Sequence, residues 1–302
     1  MSRQFKGRTA VVTGAGSGLG LALARHAAQL GMNLVVADIE AQALGQCEQE
    51  LRQAGAQVLA ARVDVAQDEQ VNDLAQQTLE RFGAPHLVFN NAGVATGGLL
   101  WEAGEQDWQW VLGVNLMGVV HGVRRFTPMM LQAAKEDPTY GGCVVNTASM
   151  AGLVCVPNMG VYNVSKHAVV ALTETLCHEL ALVTQQVQAA VLCPYFVPTR
   201  INDSERNRAD QSVQGDESLT ASQLFSRQMM DKAVRSGKVS AEQVAAQVFE
   251  AIEQKRFYIF SHPHAMQGVA QRFDDVLAAR RPSDPYAHAP QLAELLRRAV
   301  GN

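Results

Sequence analysis

KGRTAVVTGAGSGLGLALARHAAQLGMNLVVADIE, Lys6 to Glu40, decides the architecture of this 302-residue chain. Thr9 to Val12 is a short β-branched run, and Gly14, Gly16, Gly18 and Gly20 follow at once. Leu19 to Leu30 then carries apolar residues near a 3.6 period and stops at Gly31, which predicts a helix. Leu34 to Ala37 is a second apolar strand, closed by Asp38. Strand, glycine turn, helix and strand make a βαβ unit. Its glycines let the backbone turn sharply and approach a pyrophosphate, whose charge then meets the N-terminus of the helix.

The same alternation continues outward. Helices are predicted over Ala41–Ala54 and Asp68–Phe82, and strands over Gln57–Val63 and His86–Phe89. A long helix from about Glu105 to Lys135 carries Asn115, and a strand follows over Gly142–Thr147. Another helix contains Tyr162 and runs to about Gln185, before a strand at Gln188–Cys193. Ser240–Lys255 reads as a helix with Ser240 and Gln243 as a capping box, and Phe257–Phe260 as a last strand. Repeated βα units imply an α/β fold: a doubly wound parallel sheet of about seven strands with helices on both faces. Ligands in such sheets lie beyond the carboxyl ends of the strands. Gly14, Asp38, Asp64, Asn91, Ser149 and Pro194 all follow strands, so they should converge there.

Chemistry is concentrated in VVNTASMAGLVCVPNMGVYNVSK, Val144 to Lys166. Tyr162 and Lys166 are spaced i, i+4 and share one face of a helix. An ammonium beneath the phenol would favour phenolate and lower its pKa, as a general acid or base near neutral pH requires.

TGAGSGLG (Thr13–Gly20), NNAG (Asn90–Gly93), Asn115, Ser149 and YNVSK (Tyr162–Lys166) together resemble the short-chain dehydrogenase/reductase family, in its order and approximate spacing. The glycine pattern matches the compact single-domain oxidoreductase branch, here with a C-terminal extension. The resemblance spans roughly residues 5 to 260 and implies a Rossmann-type fold and hydride transfer. It implies a catalytic set of Asn115, Ser149, Tyr162 and Lys166. Ser149 would stabilise charge on the reacting oxygen, Lys166 would also hold the nicotinamide ribose, and Asn115 would position a water leading to solvent. It further implies that Gly14, Ser17, Gly18, Leu19, Asn91 and Gly93 line the dinucleotide. Asp64 and Val65 would meet the adenine, Val197 the nicotinamide, and Thr199 its carboxamide.

Asp38 favours NAD. A carboxylate at the end of the second strand accepts hydrogen bonds from the ribose hydroxyls. It repels a 2′-phosphate, by on the order of ~4 kcal/mol per charge pair at close range before screening. Ile39, Glu40, Ala41 and Gln42 supply no compensating cation, and Ser17 is neutral where NADP-preferring family members often carry Arg or Lys.

One departure stands out: Pro194 is followed by Tyr195, where family members commonly have Pro-Gly. The flanking segments are apolar (Met150, Leu153, Val154, Val156, Pro157 and Met159; Val94, Leu99, Leu100 and Trp101) and are expected to face the nicotinamide from the substrate side. They point to a hydrophobic secondary alcohol or ketone: aromatic, alicyclic or steroid-like. An NADP-dependent 3-oxoacyl-carrier reductase is the second reading, weakened by Asp38, the long tail and the lack of a basic cluster. A non-catalytic dinucleotide sensor is the third, disfavoured because Tyr162 and Lys166 are both kept.

The expected organisation is a Rossmann-fold domain over residues 1–262, with a lid at about 200–235 that includes the polar stretch Ile201–Gln223. A helical extension, 263–302, would pack on that domain or on a neighbouring subunit. Within it Met266–Arg280 is amphipathic, with Val269, Phe273, Val276 and Leu277 on one side, and Pro290–Val300 forms a second helix. This tail resembles that of family members acting on bulky aromatic alcohols, including lignin-fragment Cα-dehydrogenases. A homodimer or homotetramer is expected, with Val169, Val170, Leu172, Leu176 and Leu180 supplying spare apolar surface.

Net charge is −4 with scattered cations, which argues against nucleic acid. Hydrophobic residues make up 47% of the chain, yet no apolar run approaches the ~18 residues a membrane span needs. MSRQFKGR lacks an apolar signal core, and the five cysteines include no CxxC pair, so a reduced, cytoplasmic protein is expected. His262 and His264 have no acidic or thiol partners nearby in sequence, and no metal is expected.

Overall fold

The predicted strands are apolar runs, and the fold covers both faces of the central ones while the edge strands stay partly open. A computed structural model describes residues 4–208, 219–262, 265–287 and 289–301. His264 and residues 209–218 of the polar stretch lie outside it. The strands are β1 (Thr9–Thr13), β2 (Asn33–Asp38), β3 (Val58–Arg62), β4 (Leu87–Asn90), β5 (Gly142–Thr147), β6 (Val187–Cys193) and β7 (Tyr258–Phe260). Among the described residues they form one parallel sheet in the order β3-β2-β1-β4-β5-β6-β7. The crossover between β3 and β4 reverses the direction of winding and opens a crevice beyond β1 and β4.

Alternation along β1 divides the core. Ala10 and Val12 face α1 (Gly18–Gln29), α2 (Ala41–Gln53) and α8 (Ala241–Glu253), while Val11 faces α3 (Asp68–Phe82), α5 (Gly118–Glu136) and α6 (Gly160–Val183). Phe89 and Phe126 are fully buried on the two sides. Ser240 caps α8 by accepting the Gln243 N–H, as the sequence suggested.

Four expectations change. The helix over Glu105–Lys135 is interrupted: α4 (Glu105–Leu112) passes through a π-helical turn at Gly113–Met117 before α5. Asn115, fully buried, sits in that turn, and its amide spends its bonds outside the helix ladder. The polar stretch ends in an unforeseen helix, α7 (Ala221–Arg235), capped by Thr220 and Gln223.

The C-terminal α9 (Met266–Leu277) does not bury its apolar side. Met266 and Val269 pack inward, but Phe273, Val276 and Leu277 are 49%, 63% and 85% exposed. Asp275 takes the inward position instead, accepting the Ser283 N–H at 2.8 Å and the Gln271 amide at 3.1 Å. α10 (Pro290–Val300) rests on α7. Finally, Val169, Val170, Leu176 and Leu180 are buried within the chain itself and Leu172 is half-buried, so they are not spare surface.

His86, leading into β4, carries a testable pH dependence. Its Nδ1 accepts the Thr9 N–H at 3.3 Å and its ring stacks on Tyr140. Burial, aided by Arg8, lowers its pKa to about 4 from 6.5. Above pH 6.5 it is neutral in both states. Between 6.5 and about 4 the unfolded chain takes up a proton that the native chain refuses, so stability falls as pH falls through that window. Thermal melts across this range should therefore drop more steeply for the wild type than for His86→Asn, which keeps an acceptor for Thr9. Parallel curves would disprove it.

Candidate active site

Strand ends that are aligned in register place their following residues on one edge. A cavity of about 490 Å³ opens there, lined by Gly14, Ser17, Gly18, Leu19, Asp38, Asp64, Val65, Asn91, Gly93, Ser149, Tyr162, Lys166, Val197 and Thr199. Of the catalytic and cofactor-binding residues singled out from sequence, Asn115 alone stands behind the wall. Its amide accepts the Val94 N–H at 2.8 Å and donates to Val94 O at 2.9 Å and to Ser165 Oγ at 3.0 Å.

One half of the cavity is backbone. Gly14 has φ +66°, and a Cβ on Gly20 would stand 2.0 Å from Gly14 O. Only glycines permit that approach between the turn and the first helical residues. Ser17 precedes α1 without its side chain capping the helix, so the first N–H groups of α1 are not used by that hydroxyl. Asp38 is buried, and its carboxylate accepts the N–H groups of Gly16 at 2.8 Å and Glu40 at 2.9 Å. Fixed from behind, it keeps lone pairs for further donors. Asn91 braces the turn, donating to Thr13 O at 3.0 Å and accepting from Thr147 Oγ1 at 3.3 Å. Glycine cradle, uncapped helix start and anchored carboxylate suit a dinucleotide with free ribose hydroxyls.

The other half holds the reactive side chains. Ser149 ends the turn after β5, accepting the Ala151 N–H at 3.1 Å and donating to Pro194 O at 3.4 Å, and it stands close enough to Tyr162 to lower the phenol's pKa. Tyr162 and Lys166 lie one turn apart on α6, both buried. Lys166 Nζ is 5.6 Å from the centre of the Tyr162 ring and donates to Thr147 O at 2.9 Å. The electrostatics correct the sequence reading. Burial pushes the Tyr162 phenol up to about 12, offset only in part by Ser149, and burial brings Lys166 down to about 8. The ammonium stands over the ring rather than against the hydroxyl, so desolvation of both groups outweighs their attraction.

Of the apolar residues expected to face the nicotinamide, Val94, Met150, Val154, Val156 and Met159 line the cavity. Leu153 belongs to the core, Leu100 is half exposed against Gly160, and Trp101 is 81% exposed. Leu99 and Pro157 do not line the cavity either. Sequence reasoning missed Gln106, Gln109 and Trp110 of α4, and Met230 and Val234 of α7. The positions of the first three, one helical turn apart, were the available signal. It also missed three arginines. Arg208 stacks over Trp110 at 5.2 Å and pairs with Asp107 at 2.8 Å; Arg206 pairs with Glu40 at 2.8 Å; Arg200 pairs with Asp203 at 3.1 Å. Tyr195 lines the cavity too, its ring edge-on to Phe196 and to His262, and its N–H donates to Ser261 Oγ at 3.0 Å.

A family model described as short chain dehydrogenase matches residues 8–210. The chain belongs to the short-chain dehydrogenase family. It is therefore an oxidoreductase, and its relatives share nearly its whole length. A "CLA biosynthesis dehydrogenase/reductase" of Lactiplantibacillus plantarum is 35% identical over 262 residues, 86% of this chain and 90% of that one. The 1-deoxy-11-beta-hydroxypentalenate dehydrogenase of Streptomyces exfoliatus is 36% identical, covering 89% and 88%. A crystal structure of a short-chain dehydrogenase/reductase from Burkholderia phymatum, in complex with NAD, is 49% identical, with a TM-score of 0.89 over 94% of this chain and 99% of that one. Among the described residues no helix of this short-chain dehydrogenase is long and apolar enough to cross a membrane.

Proposed function

We propose that this enzyme interconverts a hydrophobic secondary alcohol and its ketone, with NAD as the hydride carrier. The observation that carries the reading is one cavity holding both the anchored Asp38 carboxylate and the Ser149–Tyr162–Lys166 group. Support for NAD comes from that carboxylate and from the NAD complex of the Burkholderia relative. The pentalenate dehydrogenases support an alicyclic alcohol.

A dinucleotide held with its pyrophosphate along the glycine turn would supply the hydride acceptor or donor. The chain supplies the proton chemistry. With its pKa near 12, Tyr162 holds its proton at neutral pH and is ready to donate it to a carbonyl oxygen in reduction. Ser149, which lines the same cavity beside Tyr162, can donate to the same oxygen and stabilise charge developing there. In oxidation Tyr162 must first release its own proton before it can take the substrate's hydroxyl proton, and Lys166, with a pKa near 8, is the adjacent group able to accept one close to physiological pH. Asn115 fixes the backbone at Val94 and, through Ser165, the turn of α6 that carries Tyr162. Apolar lining from Val94, Met150, Val154 and Val156 favours substrates without charge near the reacting carbon.

The test is a panel of aromatic, alicyclic and steroid-like secondary alcohols, assayed with NAD⁺ and with NADP⁺ by the absorbance of the reduced nicotinamide. At least one class should turn over with an NAD⁺ preference of about tenfold or more, or about 1.4 kcal/mol. A tenfold preference for NADP⁺ would overturn the cofactor assignment. Turnover of carrier thioesters alone would overturn the substrate class.

A further inference from the structure

The sequence shows no cation beside Asp38, but the fold brings one there. Arg206 lies in a 3₁₀ segment, Ile201–Asn207, and both it and Glu40 line the same cavity as Asp38. Its Nε and Nη2 reach Glu40 Oε1 at 2.9 and 2.8 Å, across 166 residues of sequence. The side chains are 19% and 25% exposed, so the pair is largely withdrawn from solvent. Glu40 is in turn tied to the Asp38 carboxylate through its own N–H, at 2.9 Å. Arg206 is also held from behind: Nη1 donates to Arg200 O at 2.9 Å and to Asp203 O at 2.6 Å. The Asp203 carboxylate lies 3.8 Å from Nη1, but it is more than half exposed and pairs more closely with Arg200.

We propose that Glu40 is a specificity-determining residue that occupies Arg206 and so withholds it from a 2′-phosphate on the adenosine ribose. Dinucleotide choice then has two parts. Asp38 selects for the ribose diol and repels the phosphate, and Glu40 silences the guanidinium positioned to welcome it. A guanidinium edge with two donors is the geometry a phosphate group prefers. Because main-chain carbonyls hold Nη1, removing Glu40 leaves that edge in place rather than releasing the side chain. This inference rests on the proposal that a dinucleotide lies along the glycine turn with its adenosine ribose at Asp38.

Dissociation constants for NADH and NADPH, from calorimetric titration of the full-length protein, test it without recourse to turnover. The variants are Glu40→Ala, Glu40→Gln, Arg206→Met and the Glu40→Ala/Arg206→Met pair, each checked by thermal melting. Glu40→Ala should tighten NADPH binding roughly tenfold and leave NADH within about twofold. Glu40→Gln, which keeps the shape, should shift NADPH in the same direction by less. Adding Arg206→Met should erase the gain. A gain that survives without Arg206, or equal shifts for both dinucleotides, would overturn the inference. If the wild type bound NADPH more tightly than NADH, the Asp38 reading would fall, and the dependence of the Glu40 effect on Arg206 would still decide this one separately.

Discussion

Replacing Tyr162 by phenylalanine should lower kcat roughly 10²–10⁴-fold, the usual cost of losing a positioned general acid or base. The substitution removes one oxygen from a buried ring and leaves the packing volume unchanged, so the fold should hold. Ser149 keeps its bond from the Ala151 N–H, and Lys166 keeps Thr147 O, so neither neighbour loses its anchor. Neither titratable neighbour replaces the phenol: Lys166 donates to the Thr147 carbonyl, and Cys193 is buried with its thiol pushed up to about 12. The decisive measurement pairs steady-state turnover with an NADH titration. A loss of kcat at unchanged NADH affinity is the expected outcome. Near-normal turnover with normal binding would remove Tyr162 from the mechanism.

How much of this was legible in the sequence depended on whether the information was local. The strands could be read because each is an apolar run bounded by glycine or a polar residue, and Asp68–Phe82 and Pro290–Val300 were read to the residue. The π-turn at Asn115 was not, because one extra residue per turn barely disturbs an apolar pattern. α7 escaped for the opposite reason: it buries Ser222, Ser226 and Val234 and so has little apolar period to detect. At the site, Gly14, Asp38 and Tyr162–Lys166 were visible because the chemistry sits in short motifs at strand ends. The Arg206–Glu40 pair joins residues far apart in sequence, and neither is distinctive alone. The pKa of Tyr162 was misjudged because spacing reports a neighbour's charge but not how much water both groups lose.

That division between local and distant information makes Gly20 the sharpest test of the nucleotide cradle. In sequence it is one glycine among four. In the structure a Cβ there would lie 2.0 Å from Gly14 O, 2.7 Å from Gly14 C and 2.7 Å from Asn91 Nδ2. None of these can give way cheaply. Gly14 is held at positive φ, and its own Cβ position is closed off by Ala92 Cα at 2.8 Å. Asn91 is pinned to Thr13 O and Thr147. Gly20→Ala must therefore push the turn away from α1, costing about 1–3 kcal/mol or more. For a chain of this size that lowers Tm by roughly 2–4 °C per kcal/mol. Because the displaced turn is the surface proposed to carry the pyrophosphate, NADH affinity should fall by more than about tenfold, a loss above about 1.4 kcal/mol. Gly45→Ala in α2 is the matched control, since a Cβ there meets nothing within 4 Å. It should raise stability by about 0.5–1 kcal/mol and leave NADH binding unchanged. If Gly20→Ala matched the wild type in both melting and NADH titration, the close approach of turn to helix would not be what shapes the site.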